Sequence, residues 1–307
     1  MNTGQKYLIS VVGATSVGKT AAAIQLANHY QTEIISADSR QFFREMSIGT
    51  AKPSAIELAQ APHHFINSHQ VTNAFNVGDF EKQGLATLKH IFEKHSIAIM
   101  AGGSGLYVNA IINGFDELPP VRPEVREALN QLLATEGLQV LQQKLLKADP
   151  VYYQQVDLNN PQRLIRALEV YESTGKPYSS FRKGSLSKRD FNIVKIGLDL
   201  PREELYTRIN QRVDTMLADG LIDEVKALTQ YRHLNALNTV GYSEIFDYLD
   251  GKTDLATAVA LVKQNTRRFA KRQLTWFKKD KDIHWFNPTN VSAIIDYIDT
   301  TVARLNA

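Results

Sequence analysis

Short apolar runs that end in glycine or polar residues recur along the first third of the chain. Tyr7–Val12 is apolar, partly β-branched and stops at Gly13, which predicts a buried strand. Behind it, Ala21–Ala27 is made of strong helix formers, so the first unit reads as strand, loop, helix. Glu33–Asp38 and Ile97–Gly103 repeat the pattern. Each predicts a parallel strand that delivers a loop at its C-terminal edge, where open α/β sheets bind ligands. Three strands alternating with helices by about residue 110 predict a doubly wound sheet.

From about Asp116 to Arg189 the strand pattern stops, and helical segments follow one another at Pro123–Ala134, Leu138–Lys147 and Pro161–Thr174. Pro119-Pro120 opens this stretch, and Gly175–Asp190, rich in Ser, Lys and Gly, closes it as a flexible exit. Asn192–Leu200 returns to the sheet, and Asp282–Phe286 predicts a last short strand. The expected organisation is an α/β core over 1–115 and 190–307, with a helical insertion domain over 116–189. A length of 307 residues suits one large unit with an insertion.

Composition adds exclusions. The chain has no cysteine, so disulfides, thiolate metal sites and thiol nucleophiles drop out, and a reducing cytoplasmic setting is expected. No run approaches the roughly 20 apolar residues that cross a bilayer. Tyr7–Val12 is too short for a signal peptide, so a soluble protein is expected, without a membrane partner. No obvious apolar helix face is left over, and a monomer with no obligate protein partner is the expectation.

Net charge is only +3, but its distribution is uneven. Eight basic residues (Lys263, Arg267, Arg268, Lys271, Arg272, Lys278, Lys279, Lys281) stand against one acid, Asp280, within a single window. Such a concentration is how a phosphate-binding stripe looks. Lys263, Arg267 and Lys271 share a face at four-residue spacing, with Arg268 and Arg272 beside it. Leu255, Val259, Val262, Phe269 and Phe277 form an opposing apolar stripe expected to dock the helix on the body. Trp276 has two readings, a base-stacking indole or a core residue, of which the core reading is favoured.

Gly13-Ala14-Thr15-Ser16-Val17-Gly18-Lys19-Thr20 matches the P-loop pattern between a predicted strand and a predicted helix. Its glycines let backbone N–H groups converge on phosphate oxygens. Lys19 and the helix N-terminus add positive charge, and the Thr20 hydroxyl offers a ligand to Mg²⁺. The fold expected is therefore α/β, a P-loop NTPase-like parallel sheet with helices on both faces plus the helical insertion. A P-loop grips a pyrophosphate-like unit whether a phosphoryl group is moving or a diphosphate is leaving. Two routes stay open, an ATP-using kinase and a diphosphate-releasing transferase.

Asp38-Ser39-Arg40-Gln41, taken with the P-loop, resembles the tRNA dimethylallyltransferases (isopentenyltransferases). The resemblance continues through Gly49-Thr50-Ala51-Lys52-Pro53, Gly102-Gly103-Ser104-Gly105-Leu106-Tyr107, Asn160-Pro161-Gln162-Arg163, Val240-Gly241-Tyr242 and Lys271-Arg272-Gln273-Leu274-Thr275-Trp276. Departures are mild. Ala14 and Val17 stand where proline and serine are common, Ser104 where many bacterial members have threonine, and Phe43 near a frequent tyrosine. No zinc-finger tail is present, which is more similar to bacterial members.

The resemblance implies transfer of a dimethylallyl group from dimethylallyl diphosphate to the N6 amine of the adenosine 3′-adjacent to the tRNA anticodon, with Mg²⁺ as cofactor and the anticodon stem-loop as macromolecular partner. Asp38 matches the family's general base, since the delocalised exocyclic amine needs one; a Mg²⁺-linked carboxylate or a cap is the alternative. Lys19, Thr20 and an arginine, Arg208 or Arg212, would stabilise the leaving diphosphate. Ser104 would hydrogen-bond adenine or leaving group. Ser39, Arg40 and Gln41 would contact the target base or its neighbour. On the RNA side the resemblance also implies Arg126, Gln162, Arg163, Leu164, Ile165, Arg166, Val240, Gly241, Tyr242, Lys271, Arg272, Gln273, Trp276 and Lys278. His63 and His64 lack the spacing of a zinc site and read as structural. The rivals are a small-molecule or nucleoside kinase, a prenyltransferase acting on free adenine nucleotides, and a non-catalytic P-loop module.

Overall fold

The computed structural model describes residues 4–116, 118–182 and 187–306. Residues 183–186 of the predicted Gly175–Asp190 exit lie outside the described residues. The chain divides into two compact units, Met1–Asn113 with Lys188–Ala307, and Gly114–Ser187.

The first unit is built on six parallel strands: β1 (Tyr7–Gly13), β2 (Ile34–Ser36), β3 (His63–His64), β4 (Ile97–Gly102), β5 (Asn192–Leu198) and β6 (His284–Phe286). Their order across the sheet is β3-β2-β4-β1-β5-β6. β1 is central, in register with β4 from Tyr7 opposite Ile97 and with β5 from Tyr7 opposite Asn192. Every residue of β1 is buried, because both sheet faces are covered, as an uninterrupted apolar run requires.

Side chains alternate across the strand. Tyr7, Ile9 and Val11 enter one core with Leu26 of the helix Lys19–Tyr30, Leu205 and Ile209 of the helix Arg202–Ala218, and Ile294 and Ile298 of the helix Val291–Asn306. Leu8 and Val12 enter the other with Phe80, Leu88 and Ile91 of the helix Val77–Lys94 and Val108 and Ile111 of the helix Gly105–Asn113. Among the described residues no helix is long and apolar enough to cross a membrane.

The long helix Leu255–Phe277 docks on part of the expected stripe, with Val262 and Phe277 buried and Val259 packed against the core, while two members of the stripe face outward. Ala258, Val262, Ala270, Gln273 and Phe277 are buried, whereas Leu255 and Phe269 are exposed. Near the sheet's C-terminal edge, Gln273 and Trp276 pack so close to Gly103 and Gly105 that a Cβ on either glycine would lie 2.3 Å from them. β3 had no apolar run to announce it. It exists through pairing with β2, and His64 Nε2 lies 2.6 Å from Glu33 Oε2 while His63 Nδ1 lies 2.7 Å from the Ala61 carbonyl.

The second unit packs the helices Pro123–Glu136, Leu138–Ala148 and Pro161–Thr174 around Leu129, Leu141, Leu145, Leu164, Ile165 and Leu168. Asn160 caps the last of these by accepting from the Arg163 N–H at 3.3 Å, and Pro161 fills its first turn, where no N–H partner is needed.

Candidate active site

β1 hands the chain to the P-loop at Gly13, whose φ of 153° suits glycine. A side chain there is also excluded, since an added Cβ would lie 2.6 Å from the Leu198 carbonyl oxygen. Ser16 at φ 63° and Gly18 at φ 109° complete the turn. Ala14 and Val17 are buried beneath the loop and contribute through their backbone. Lys19 Nζ donates to the Ala14 carbonyl at 2.6 Å. Burial brings its pKa down to about 8; the nearby Asp38 carboxylate opposes this shift and the Arg212 guanidinium adds to it.

Two cavities of the first unit meet beside this loop. The inner one, about 270 Å³, takes in the P-loop with Lys19 and Thr20, together with Gln41, Ala51 and Gln273. The outer one, about 450 Å³, takes in Ser39, Arg40, Ser104, Val240, Gly241 and Arg272. Thr15, Asp38, Thr50, Arg212 and Phe269 line both.

Asp38 follows β2 at the sheet edge, and its Oδ1 accepts from the N–H groups of Arg40 at 3.0 Å and Gln41 at 3.4 Å. These bonds fix the carboxylate in a turn. Ser104 Oγ accepts from the Ser39 N–H at 2.9 Å, which ties the loop after β4 to the loop after β2. Arg40 is desolvated, which depresses its pKa, and Asp38 and Tyr107 oppose that shift.

Arg212 reaches the P-loop from the helix Arg202–Ala218. Its Nη1 lies 3.4 Å from Thr15 Oγ1 and 3.5 Å from Ser16 Oγ, and its Nη2 donates to the Ala51 carbonyl at 3.3 Å. Burial lowers its pKa against the pull of Asp38, yet a guanidinium remains a cation throughout the working pH range. Of the two candidate arginines, Arg212 is the one that lines the P-loop cavity. Arg208 leans back along the helix to Glu204 at 2.8 Å, as helical side chains do, and lines neither cavity.

Several residues expected to contact RNA are placed otherwise. Gln273 is buried; its Oε1 accepts from the Thr15 N–H at 2.8 Å and its Nε2 donates to the Gly103 carbonyl at 2.9 Å, so it clamps the P-loop to the β4 loop. Gln41 Nε2 donates to the carbonyls of Thr50 and Ala51, both at 3.2 Å. Tyr242 is 0% exposed, and Leu164 and Ile165 are core of the helical unit, so these three side chains are enclosed by the fold. Trp276 corrects the favoured core reading: it is 45% exposed, and one side covers Gly105, where a Cβ would lie 2.3 Å from the indole.

The basic helix carries two faces rather than one stripe. Lys263 pairs with Asp214 at 2.5 Å and Arg267 Nη1 donates to Asn210 at 2.7 Å, so both are spent on the neighbouring helix. Lys278 pairs with Asp199 at 2.8 Å and, with Lys271, borders a separate groove beside Tyr206. Arg272 alone among the predicted RNA-facing residues of this helix lines the outer cavity. In the helical unit, Arg126 Nη1 and Arg166 Nη1 both donate to Glu169, at 2.9 and 2.5 Å, and Arg126 Nη2 donates to Gln162 at 3.1 Å. Arg163 is exposed beside them.

Two acids escaped the sequence reading. Glu169 is buried under that arginine pair, and Glu224 holds the loop that begins the Gly49–Pro53 motif. Each shares its helix with another acid, Glu172 or Asp223, and so does not stand out from solvated charge.

The comparisons with known proteins agree with this geometry. The IPP transferase family model matches residues 41–280. The tRNA dimethylallyltransferase of Christiangramia forsetii is 54% identical over 96% of this chain and 98% of its own length. That of Cytophaga hutchinsonii is 49% identical over 96% and 97%. The tRNA isopentenylpyrophosphate transferase of Bacillus halodurans superposes with a TM-score of 0.73 at 37% identity, covering 98% of both chains. A eukaryotic dimethylallyltransferase acting on tRNA superposes with a TM-score of 0.76 at 27% identity, over 94% of this chain and 75% of its own. With its relatives matched from the P-loop to the basic helix and the family model spanning most of its length, this chain belongs to the IPP transferase family.

Proposed function

We propose that this chain transfers a dimethylallyl group from dimethylallyl diphosphate to the N6 amine of the adenosine 3′-adjacent to the anticodon in tRNA, releasing diphosphate. The relatives named tRNA dimethylallyltransferase support this reading at about half identity over nearly the whole chain. The observation that carries it is the position of Asp38, which lines both the P-loop cavity and the outer cavity. A carboxylate at that junction stands between a diphosphate gripped on one side and a base admitted from the other.

In the reaction the C1–O bond of the allylic diphosphate breaks, and its electrons leave with the diphosphate. The N6–C1 bond forms as Asp38 accepts the N6 proton, which is the role of a general base. Lys19, the P-loop amides and Arg212 offset the charge that builds on the leaving group. Ser104 and Ser39, hydrogen-bonded to each other's loops, border the outer cavity with Arg40 and Arg272, where the base and its flanking phosphates would sit. An extruded base costs little to admit, because anticodon-loop bases are only loosely stacked.

Mg²⁺ fits the donor set. Thr20 and Asp38 bring hard oxygens to one cavity, and this ion takes only one or two protein oxygens, with the rest from phosphate and water. Thr20 would hold it, and when bound it would neutralise part of the diphosphate charge.

The test is an assay with labelled dimethylallyl diphosphate and Mg²⁺ against tRNA, free AMP, or no acceptor, with ATP consumption followed in parallel. Label transferred only to tRNA, with no ATP consumed, is the expected result. Transfer to AMP in place of tRNA, or triphosphate cleavage in step with product, would overturn the reading.

A further inference from the structure

Glu224 lies outside the two cavities, yet its carboxylate gathers four donors. Oε2 accepts from the N–H groups of Ser47 at 2.9 Å and Ile48 at 2.8 Å. Oε1 accepts from the Gly49 N–H at 3.0 Å and the Tyr242 hydroxyl at 2.6 Å. Three consecutive amides converging on one anion form a nest, which fixes the backbone that follows. Tyr242 closes it from above. A Cβ on Gly49 would lie 2.5 Å from the Tyr242 ring, so only glycine fits, and two separate sequence motifs become one structural unit.

The backbone so fixed enters the site directly. Ala51, two residues beyond the nest, has a φ of 44°, a left-handed conformation costly for alanine unless its surroundings impose it. Its carbonyl accepts from both Gln41 Nε2 and Arg212 Nη2. Thr50 and Ala51 both line the inner cavity. Arg212 therefore has two anchors, the P-loop hydroxyls and the Ala51 carbonyl, and the second is set from Glu224.

We propose that Glu224 is a positioning residue for diphosphate capture, holding the Ser47–Ala51 loop so that the Ala51 carbonyl aims Arg212 at the leaving group. This rests on the reading of the inner cavity as the diphosphate site. Glutamine at 224 keeps the size but places an N–H₂ donor among donors, so the nest opens. A misplacement of about 1 Å in such a group costs on the order of 100-fold.

The experiment measures, on the full chain, the KM for dimethylallyl diphosphate, the Kd for inorganic diphosphate and the Kd for tRNA, in Glu224→Gln, Arg212→Gln and the double variant. Glu224→Gln should weaken both diphosphate constants roughly 10- to 100-fold and leave tRNA affinity unchanged. In the Arg212→Gln background it should have no further effect, because the group it positions is gone. Equal losses in both backgrounds, loss of tRNA affinity in step, or an unchanged diphosphate affinity would overturn the proposal. Tyr242→Phe removes one donor while keeping the ring on Gly49, and should move the same constants in the same direction by less; no movement there also counts against it. A wild-type chain inert toward prenyl diphosphate would defeat the functional reading instead, while inorganic diphosphate binding would still report the coupling of Glu224 to Arg212.

Discussion

Lys19 carries a pH signature. Its pKa falls from the ordinary 10.5 to about 8 because burial penalises the ammonium form. The Lys19 cation, which the proposed reaction uses to attract diphosphate, is present below that value and is lost as pH rises through it. Affinity of the free enzyme for inorganic diphosphate should therefore decline from neutral pH to above 8, which a calorimetric titration series would show; a flat profile would contradict the pairing of a lowered Lys19 pKa with a role in holding the anion. The residues around it differ in how visible they were. Gly13 to Thr20 is legible because the P-loop is a local pattern, complete within eight consecutive residues. Gln273 is not, since its partner Thr15 lies 258 positions away and a glutamine between basic residues reads as surface. Arg212 could be narrowed only to a pair with Arg208, because periodicity gives the helix face and leaves the direction of each side chain open.

At the scale of elements, long strands announce themselves by unbroken apolar runs, as Tyr7–Gly13 and Asn192–Leu198 do. His63–His64 does not, being two residues held by pairing alone. The long basic helix is legible as a helix, and Val262 and Phe277 of its apolar stripe are buried as expected, but Ala258, Ala270 and Gln273 join them while Leu255 and Phe269 are exposed. Gly103 accounts for the buried glutamine: a Cβ there would lie 2.3 Å from Gln273 Nε2. In the helical unit, Glu169 makes an expectation whose sign is informative. It is fully buried and receives both Arg126 and Arg166. Glu169→Gln removes a negative charge, so if the arginines act as diffuse charge, tRNA affinity should rise. If the buried carboxylate holds them in a phosphate-binding fork, affinity should fall despite the added positive charge, and a fall is the expected result in a filter-binding or anisotropy assay.

Across the whole molecule, a net charge of +3 gives little long-range attraction for RNA, so binding depends on where unpaired cations stand. Lys263, Arg267 and Lys278 are engaged within the fold, whereas Arg272 faces the outer cavity. Affinity for tRNA should drop as salt rises, and Arg272→Ala should reduce the slope of log affinity against log salt by about one, while Lys263→Ala should leave it near the wild-type value. Equal effects of the two substitutions would return the helix to a single undivided stripe.

The two cavities have meaning together only if a proton is moved where they join. Asp38→Asn is the direct test, because Asn retains an Oδ1 that can accept from Arg40 and Gln41, preserving the turn while removing the base. Measured under single turnover with labelled dimethylallyl diphosphate and tRNA, the rate of transfer should fall by about 10²- to 10⁴-fold with tRNA affinity unchanged. Transfer at the wild-type rate by this variant would contradict the account.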